Sequence, residues 1–317
     1  MKPNPMVILT GPTAVGKTAL SIALAKKING AIISADSMQV YKYMDIGSAK
    51  IMPEEMDGVR HYLVDELEPS DEFHVVRVVE MPKRALKEIT ANGQIPIVVG
   101  GTGFYIQALL YDIDFTEQEC DSAYRRQLEE LAETRGNHYL HEMLKAVDPA
   151  SAEAIHENNR KRVIRALEFY HESGERISEH NERESQKTSP YNFAYFVLND
   201  DREKLYRRID ARVDAMVKAG LVDEVARLQQ MGCHADMVSM QGLGYKEILA
   251  YLNGTSTLEE AIYIIKRESR HFAKRQLTWF RRERDVIWLN NPDFEYDDTK
   301  ILTYMMDVLQ AKGILPA

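Results

Sequence analysis

Short apolar runs separated by amphipathic stretches dominate the first hundred residues: MVILT at 6–10, AIISA at 31–35, a weaker HYLVD at 61–65 and IPIVV at 95–99. This alternation predicts a parallel sheet with crossover helices. After the first run, Leu20, Ala23, Leu24 and Ile28 recur at helical spacing, which lays one face of a helix on that sheet. From about 116 to 190 the pattern becomes charged and helix-favouring, with no strand-like run, and ends in SEHNERESQKTSP. That segment reads as an all-helical insertion with a mobile exit. A strand-like FAYFVL at 193–198 follows, then long helical patterns from about 201 to 284 and VIWLN at 286–290, where the chain re-enters the first unit. The last two dozen residues read as a peripheral helix of no evident role. The resulting division is 1–115 and 191–317 for an α/β core and 116–190 for the insertion.

Composition supports two packed units: 317 residues, 44% hydrophobic and 28% charged. No apolar run approaches the roughly 20 residues of a membrane span, and MKPNPMVILT is too short and Pro-interrupted for a signal peptide. The expectation is a cytoplasmic protein without a membrane partner. Cys120 and Cys233 stand apart from any Cys/His cluster and read as ordinary thiols. His138 and His141 share a helical face but have no third ligand, so a solvated face is the better reading. Net charge of −9 argues against a polyanionic partner. The distribution of charge weakens that exclusion, because residues 266–284, KRESRHFAKRQLTWFRRER, carry eight basic residues against two acidic ones. A solvated helix face and a phosphate-contacting surface both fit this run. Trp279 and Phe280 within it read as packing residues.

Chemistry enters with Gly11, Pro12, Thr13, Ala14, Val15, Gly16, Lys17 and Thr18, which fit G-x-x-x-x-G-K-[ST] between a strand and an amphipathic helix. Such a loop turns successive N–H groups inward as an anion nest at a helix N-terminus. Lys17 adds a point charge and Thr18 a hydroxyl for Mg²⁺. In an open parallel sheet, ligands bind beyond the carboxyl ends of the strands. Two further strand ends carry Asp36-Ser37-Met38-Gln39 and Gly100-Gly101-Thr102-Gly103. Asp36 reads as a metal carboxylate, a general base or a turn cap. Gln39 and Thr102 have side chains able to read a base edge, though spacing alone makes them ordinary loop residues.

These motifs resemble the tRNA dimethylallyltransferases, also called tRNA isopentenyltransferases. The resemblance runs through GPTAVGKT, DSMQVYKYMDIGSAK (36–50), GGTGFYI (100–106), RKRVIRALE (160–168), GLVDEV (220–225), GYKE (244–247) and AKRQLTWFR (273–281), in family order over nearly the whole chain. Ser48 stands where the family often has Thr, and Ile51 and Met52 intervene before Pro53. Lacking a C-terminal Cys/His cluster, the chain resembles the bacterial form. The resemblance implies a P-loop NTPase-like parallel sheet flanked by helices, with an all-helical insertion gripping the anticodon stem. It implies transfer of a dimethylallyl group from dimethylallyl diphosphate to the exocyclic amine of an adenosine just 3′ of the anticodon, by a Mg²⁺-dependent monomer. Residues 11–18 would hold the diphosphate, with Lys17, Thr18-bound Mg²⁺ and Arg208 stabilising charge and Asp36 as base. Contacts to tRNA would come from Asp36, Ser37, Met38, Gln39, Thr102, Arg125, Lys161, Arg162, Val163, Ile164 and Arg165, with phosphate contacts from 266–284. Competing readings are a P-loop kinase of a small molecule or nucleotide, a prenyltransferase of free AMP or ADP, and a tRNA-binding protein with a vestigial loop.

Overall fold

An unbroken apolar run makes a strand that is buried on both faces, and this is how the sheet is centred. The computed structural model describes residues 4–71, 73, 75–113 and 122–316. The strands are β1 (Asn4–Thr10), β2 (Gly30–Ala35), β3 (His61–Tyr62), β4 (Ile95–Gly100), β5 (Tyr191–Asn199) and β6 (Val286–Asn290). They form one sheet in the order β3-β2-β4-β1-β5-β6, with every neighbouring pair parallel. Each apolar run of the sequence falls on one of these strands. Thr10 of β1 and Ala35 of β2 both pair with Gly100 of β4, so three strand ends finish level and their loops leave from one edge.

Alternation along β1 sorts its side chains between two cores. Val7 and Leu9 face a cluster with Leu20, Leu24 and Ile28 of α1 (Lys17–Ile28), whereas Met6 and Ile8 face one with Leu86 and Ile89 of α2 (Val75–Ala91) and Ile106 and Leu109 of α3 (Gly103–Leu110). The chain divides into two compact units, residues 1–112 with 190–317, and 113–189. The second unit holds α4 (Ser122–Arg135), α5 (Asn137–Val147), α6 (Pro149–Ala154), α7 (Arg160–Ser173) and α8 (Ile177–Ser185). Returning to the first unit, the chain forms α9 (Arg202–Lys218), α10 (Leu221–Gln230), α11 (Tyr245–Leu252), α12 (Leu258–Phe280) and α13 (Asp298–Ala311). The expected boundary at 115/116 and Cys120 lie outside the described residues; Cys233 is buried. Among the described residues no helix is long and apolar enough to cross a membrane.

One expectation changes. The last helix, α13, is a core element: Ile301, Met305 and Leu309 are fully buried in the α1 side of the sheet. The polar exit of the insertion forms a helix over Ile177–Ser185. Its start is held by Asp148, a buried carboxylate that accepts the N–H and hydroxyl of Ser151 at 3.0 and 2.7 Å and those of Ser178 at the same distances. One side chain thereby ties the first turn of α6 to that of α8, satisfying helix-terminal donors that have no partner within their own helices.

Burial by itself raises the Asp148 carboxyl's pKa, and the four hydrogen bonds from Ser151 and Ser178 outweigh it, leaving the net shift downward. A carboxyl whose folded pKa lies below its unfolded one stabilises the fold above the unfolded value, and this is lost as pH falls through the folded value. Asp148→Asn should therefore lower the melting temperature at neutral pH and flatten the loss of stability on acidification below about pH 4. Thermal melts across that range, followed by helical circular dichroism, check both effects.

Candidate active site

The loop after β1 exists because two glycines adopt backbone angles closed to most side chains. Gly11 has φ +145° and Gly16 φ +108°, and a Cβ on Gly11 would strike the carbonyl of Leu198. Lys17 opens α1 and folds back over the loop, its Nζ donating to the carbonyls of Gly11 at 2.9 Å and Pro12 at 2.7 Å. Gly11, Pro12 and Val15 are buried, whereas Gly16 and Thr18 are exposed and Thr13, Ala14 and Lys17 half-buried. Thr13 to Thr18 line a cavity of about 820 Å³ formed wholly by the α/β unit.

The level strand ends bring three loops to this cavity. Asp36 stands just beyond β2 and accepts the Met38 N–H at 2.9 Å, an Asx-type turn that aims its carboxylate. Burial pushes the Asp36 carboxyl up, while the Met38 hydrogen bond and the charge of Lys17 pull the other way. Burial and the charge of Arg212 draw Lys17 down to about 7, against the opposing pull of Asp36. Ser37, Met38, Gln39 and Thr102 also line the cavity. The Gln39 amide is oriented on both sides, receiving the Ser34 hydroxyl and donating to the Ala49 carbonyl, each at 3.2 Å. Thr102 directly precedes α3 as its N-cap, its N–H donating to the Ala35 carbonyl at 3.2 Å.

Helices distant in sequence complete the walls. Gln276 of α12 accepts the Thr13 N–H and donates to the Gly101 carbonyl, both at 3.0 Å, so one amide bridges the phosphate loop and the loop after β4. The bare backbone of GGTG follows from these approaches: a Cβ on Gly101 would meet Gln276 and one on Gly103 would meet the Trp279 ring. Phe280 is buried against the sheet, so both aromatic residues pack as read from the sequence. From α9, Arg212 enters the lining, its Nη1 donating to the Thr13 hydroxyl at 3.4 Å. Arg275 of the basic run also lines the cavity, whereas Arg212 and Gln276 were not singled out as site residues; the signal available for Arg212 is its four-residue spacing from Arg208.

Arg208 lies apart from the cavity. It pairs at 2.8 Å with Asp200, a carboxylate with no exposed side-chain surface, and it is absent from the cavity lining. Drawing Arg208 toward a phosphate would strip a buried anion of its counter-charge, which is costly. The basic run 266–284, which begins in α12 and ends beyond it, is divided. Lys266 pairs with Asp214 at 2.6 Å and Arg270 with Asp210 at 2.5 Å, fastening α12 to α9. Arg267 pairs with Glu268, while Lys274, Arg275, Arg281, Arg282 and Arg284 are exposed.

Within the helical unit, Val163 and Ile164 are 0% and 2% exposed and belong to its core, so their side chains are withdrawn from any surface contact. Arg125 donates through Nη1 to both oxygens of the buried Glu168, at 3.2 and 3.0 Å. Lys161 and Arg162 are exposed and Arg165 half-buried. His138 lies against Glu157, and His141 donates through Nε2 to the carbonyls of Ala152 and Ile155, both at 2.9 Å, so the two rings have separate structural partners. Among the described residues no group of three His, Cys, Asp or Glu could hold a metal.

The chain is similar to known proteins along nearly its whole length. The family model described as IPP transferase matches residues 39–283. A tRNA dimethylallyltransferase of Lachnoclostridium phytofermentans is 62% identical over 312 residues, covering 98% of this chain and 99% of the relative. The crystal structure of a tRNA isopentenylpyrophosphate transferase from Bacillus halodurans superposes with a TM-score of 0.73 at 44% identity, covering 98% of each chain. A eukaryotic dimethylallyltransferase acting on tRNA gives a TM-score of 0.82 at 30% identity, over 96% of this chain and 78% of that one. With a P-loop NTPase-like core and these likenesses along nearly its whole length, the chain belongs to the IPP transferase family of tRNA dimethylallyltransferases.

Proposed function

We propose that this protein transfers a dimethylallyl group from dimethylallyl diphosphate to the exocyclic N6 amine of the adenosine immediately 3′ of the anticodon in tRNA. The observation that carries this reading is the placement of Asp36 in the same cavity as the anion loop, among the uncharged hydrogen-bonding side chains of Gln39 and Thr102. Anion, base and base-edge contacts are thus available to one reacting pair of molecules.

In this mechanism the diphosphate lies on residues 11–18, and Lys17 and Arg212 offset the charge that grows as the allylic C–O bond breaks. Arg212 takes the part that the family resemblance assigned to Arg208, which is occupied by Asp200. As the amine nitrogen bonds to carbon it becomes cationic and strongly acidic, so a carboxylate accepts its proton readily. Asp36 is that base. Thr18, exposed beside the phosphate nest, would hold a Mg²⁺ through its hydroxyl. When bound, the metal supplies further neutralisation of the leaving group. A stacked adenine cannot enter the cavity, so the base is flipped out at a cost of a few kcal/mol. Ser37, Met38, Gln39 and Thr102 hold it there. Lys161, Arg162 and Arg165 of the helical unit and the exposed cations of the 266–284 run contact the RNA backbone. The same reading has the enzyme acting in the cytoplasm as a monomer.

The test is incorporation of label from dimethylallyl diphosphate into an unmodified tRNA whose anticodon loop carries consecutive adenosines. Incorporation should vanish when the target adenosine is changed, and phosphate transfer from ATP to a small acceptor without incorporation would overturn the reading. Asp36→Asn should slow single-turnover transfer roughly 10²- to 10⁴-fold while tRNA binding stays within a few fold. Arg212→Ala should raise KM for the prenyl donor about 10- to 100-fold, the cost of a lost charged hydrogen bond, whereas Arg208→Ala should mainly lower the melting temperature. Diphosphate raises the pKa of Lys17 from its donor-free value of about 7, so donor binding takes up a proton above that pH. Donor affinity should fall as pH rises through this value, and calorimetry in buffers of different ionisation enthalpy should detect the uptake.

A further inference from the structure

Two of the sequence motifs, GLVDEV and GYKE, have no part in the chemistry described above, yet they meet at one buried carboxylate. Glu224 is 1% exposed and sits on α10 between Leu221 and Val225, which pack into one apolar core with Met240, Tyr245 and Ile248. A carboxylate so placed must be hydrogen-bonded to persist as an anion. Its Oε2 accepts the N–H groups of Asp45 at 3.0 Å and Ile46 at 2.8 Å, and its Oε1 those of Gly47 at 3.1 Å and the Tyr245 hydroxyl at 2.9 Å. Three successive backbone N–H groups converging on one anion form a nest, here filled by a side chain of the same protein. The fit is close. A Cβ on Gly47 would stand 2.6 Å from the Tyr245 ring.

What this nest holds is a wall of the cavity. Gly47, Ser48 and Ala49 line it, and the Ala49 carbonyl is the acceptor that orients Gln39. The far end of the same loop is fixed by Lys50, whose buried Nζ donates to the Tyr41 carbonyl at 2.7 Å, to Asp45 at 2.6 Å and to Asp65. The phosphate loop, by contrast, is held by Gln276 and by Lys17's own contacts, none of which involves Glu224. We infer that Glu224, with Tyr245, is a positioning residue that sets the acceptor wall of the cavity through loop 45–49, independently of the donor cradle. This inference rests on the proposed transfer to tRNA for its kinetic consequence, though its structural consequence stands apart from it.

The experiment compares wild type with Glu224→Gln, which keeps shape but turns an amide N–H toward backbone donors, and Tyr245→Phe, which removes one of the four hydrogen bonds. Gly47→Ala presses on the same loop from the opposite side and serves if Glu224→Gln does not fold. Amide hydrogen exchange of the substrate-free proteins should show faster exchange at residues 45–49 with residues 11–16 unchanged. In transfer assays kcat/KM for tRNA should fall on the order of 10- to 100-fold, as expected when a binding wall is misplaced by about 1 Å. Calorimetric affinity for dimethylallyl diphosphate alone should stay within about twofold of wild type. Folded variants with unchanged exchange at 45–49, or with donor affinity and tRNA turnover falling together, would overturn the inference. Variants that exchange as described, beside a wild type that transfers nothing to tRNA, would instead count against the proposed function alone.

Discussion

The cavity is organised by one electrostatic constraint: two cations, Lys17 and Arg212, and one carboxylate, Asp36, line the same space. In the donor-free protein Lys17 leans on the carbonyls of its own loop, and both burial and Arg212 disfavour its charge. Asp36 offsets part of that, and is itself held down by Lys17. Such a site has a standing preference for an anion, because a diphosphate relieves the repulsion between the cations and replaces the loop carbonyls as the lysine's partner. Burial raises the pKa of the Asp36 carboxyl and so makes it a better proton acceptor than a solvated carboxylate.

Charges can be kept this close only if the loops that carry them are rigid, and the rigidity comes from outside the strands. Gln276 ties the phosphate loop to the loop after β4, and Gly101 and Gly103 have no side chain because α12 passes against them. The position of α12 depends in turn on α9. Lys266 and Arg270 meet Asp214 and Asp210 of α9, the helix that also carries Arg212. Part of the basic run therefore assembles the site, and the part left exposed is free to meet a polyanion.

A similar division operates in the helical unit. Asp148 and Glu168 are charged residues turned inward, one tying two helices together and the other engaging Arg125 across 43 positions. A buried pair of this kind contributes to conformational specificity more surely than to net stability, since desolvation offsets much of the attraction. Lys161 and Arg162, next in sequence to the buried Val163 and Ile164 of α7, keep their charges at the surface.

The strands, the phosphate loop and the helical insertion were legible in the linear chain because each follows from local rules. A β-rich run, a glycine pattern that only one backbone shape satisfies, and a change from alternating to helical patterning all act over a few residues. Asp36 could be placed near the loop because parallel strands that finish level present their following residues at one edge. The partners of charged side chains were not legible. Arg208 and Arg212 look equivalent four residues apart on one helix, and only the buried Asp200 beside one and the cavity beside the other distinguish them. Glu224 and Gln276 reach partners 177 to 179 and 263 positions away, so their roles exist only once the chain has closed. Local propensity sets which elements form; which charge meets which is decided by tertiary packing, because electrostatic and hydrogen-bond energies depend on distances in space and on burial.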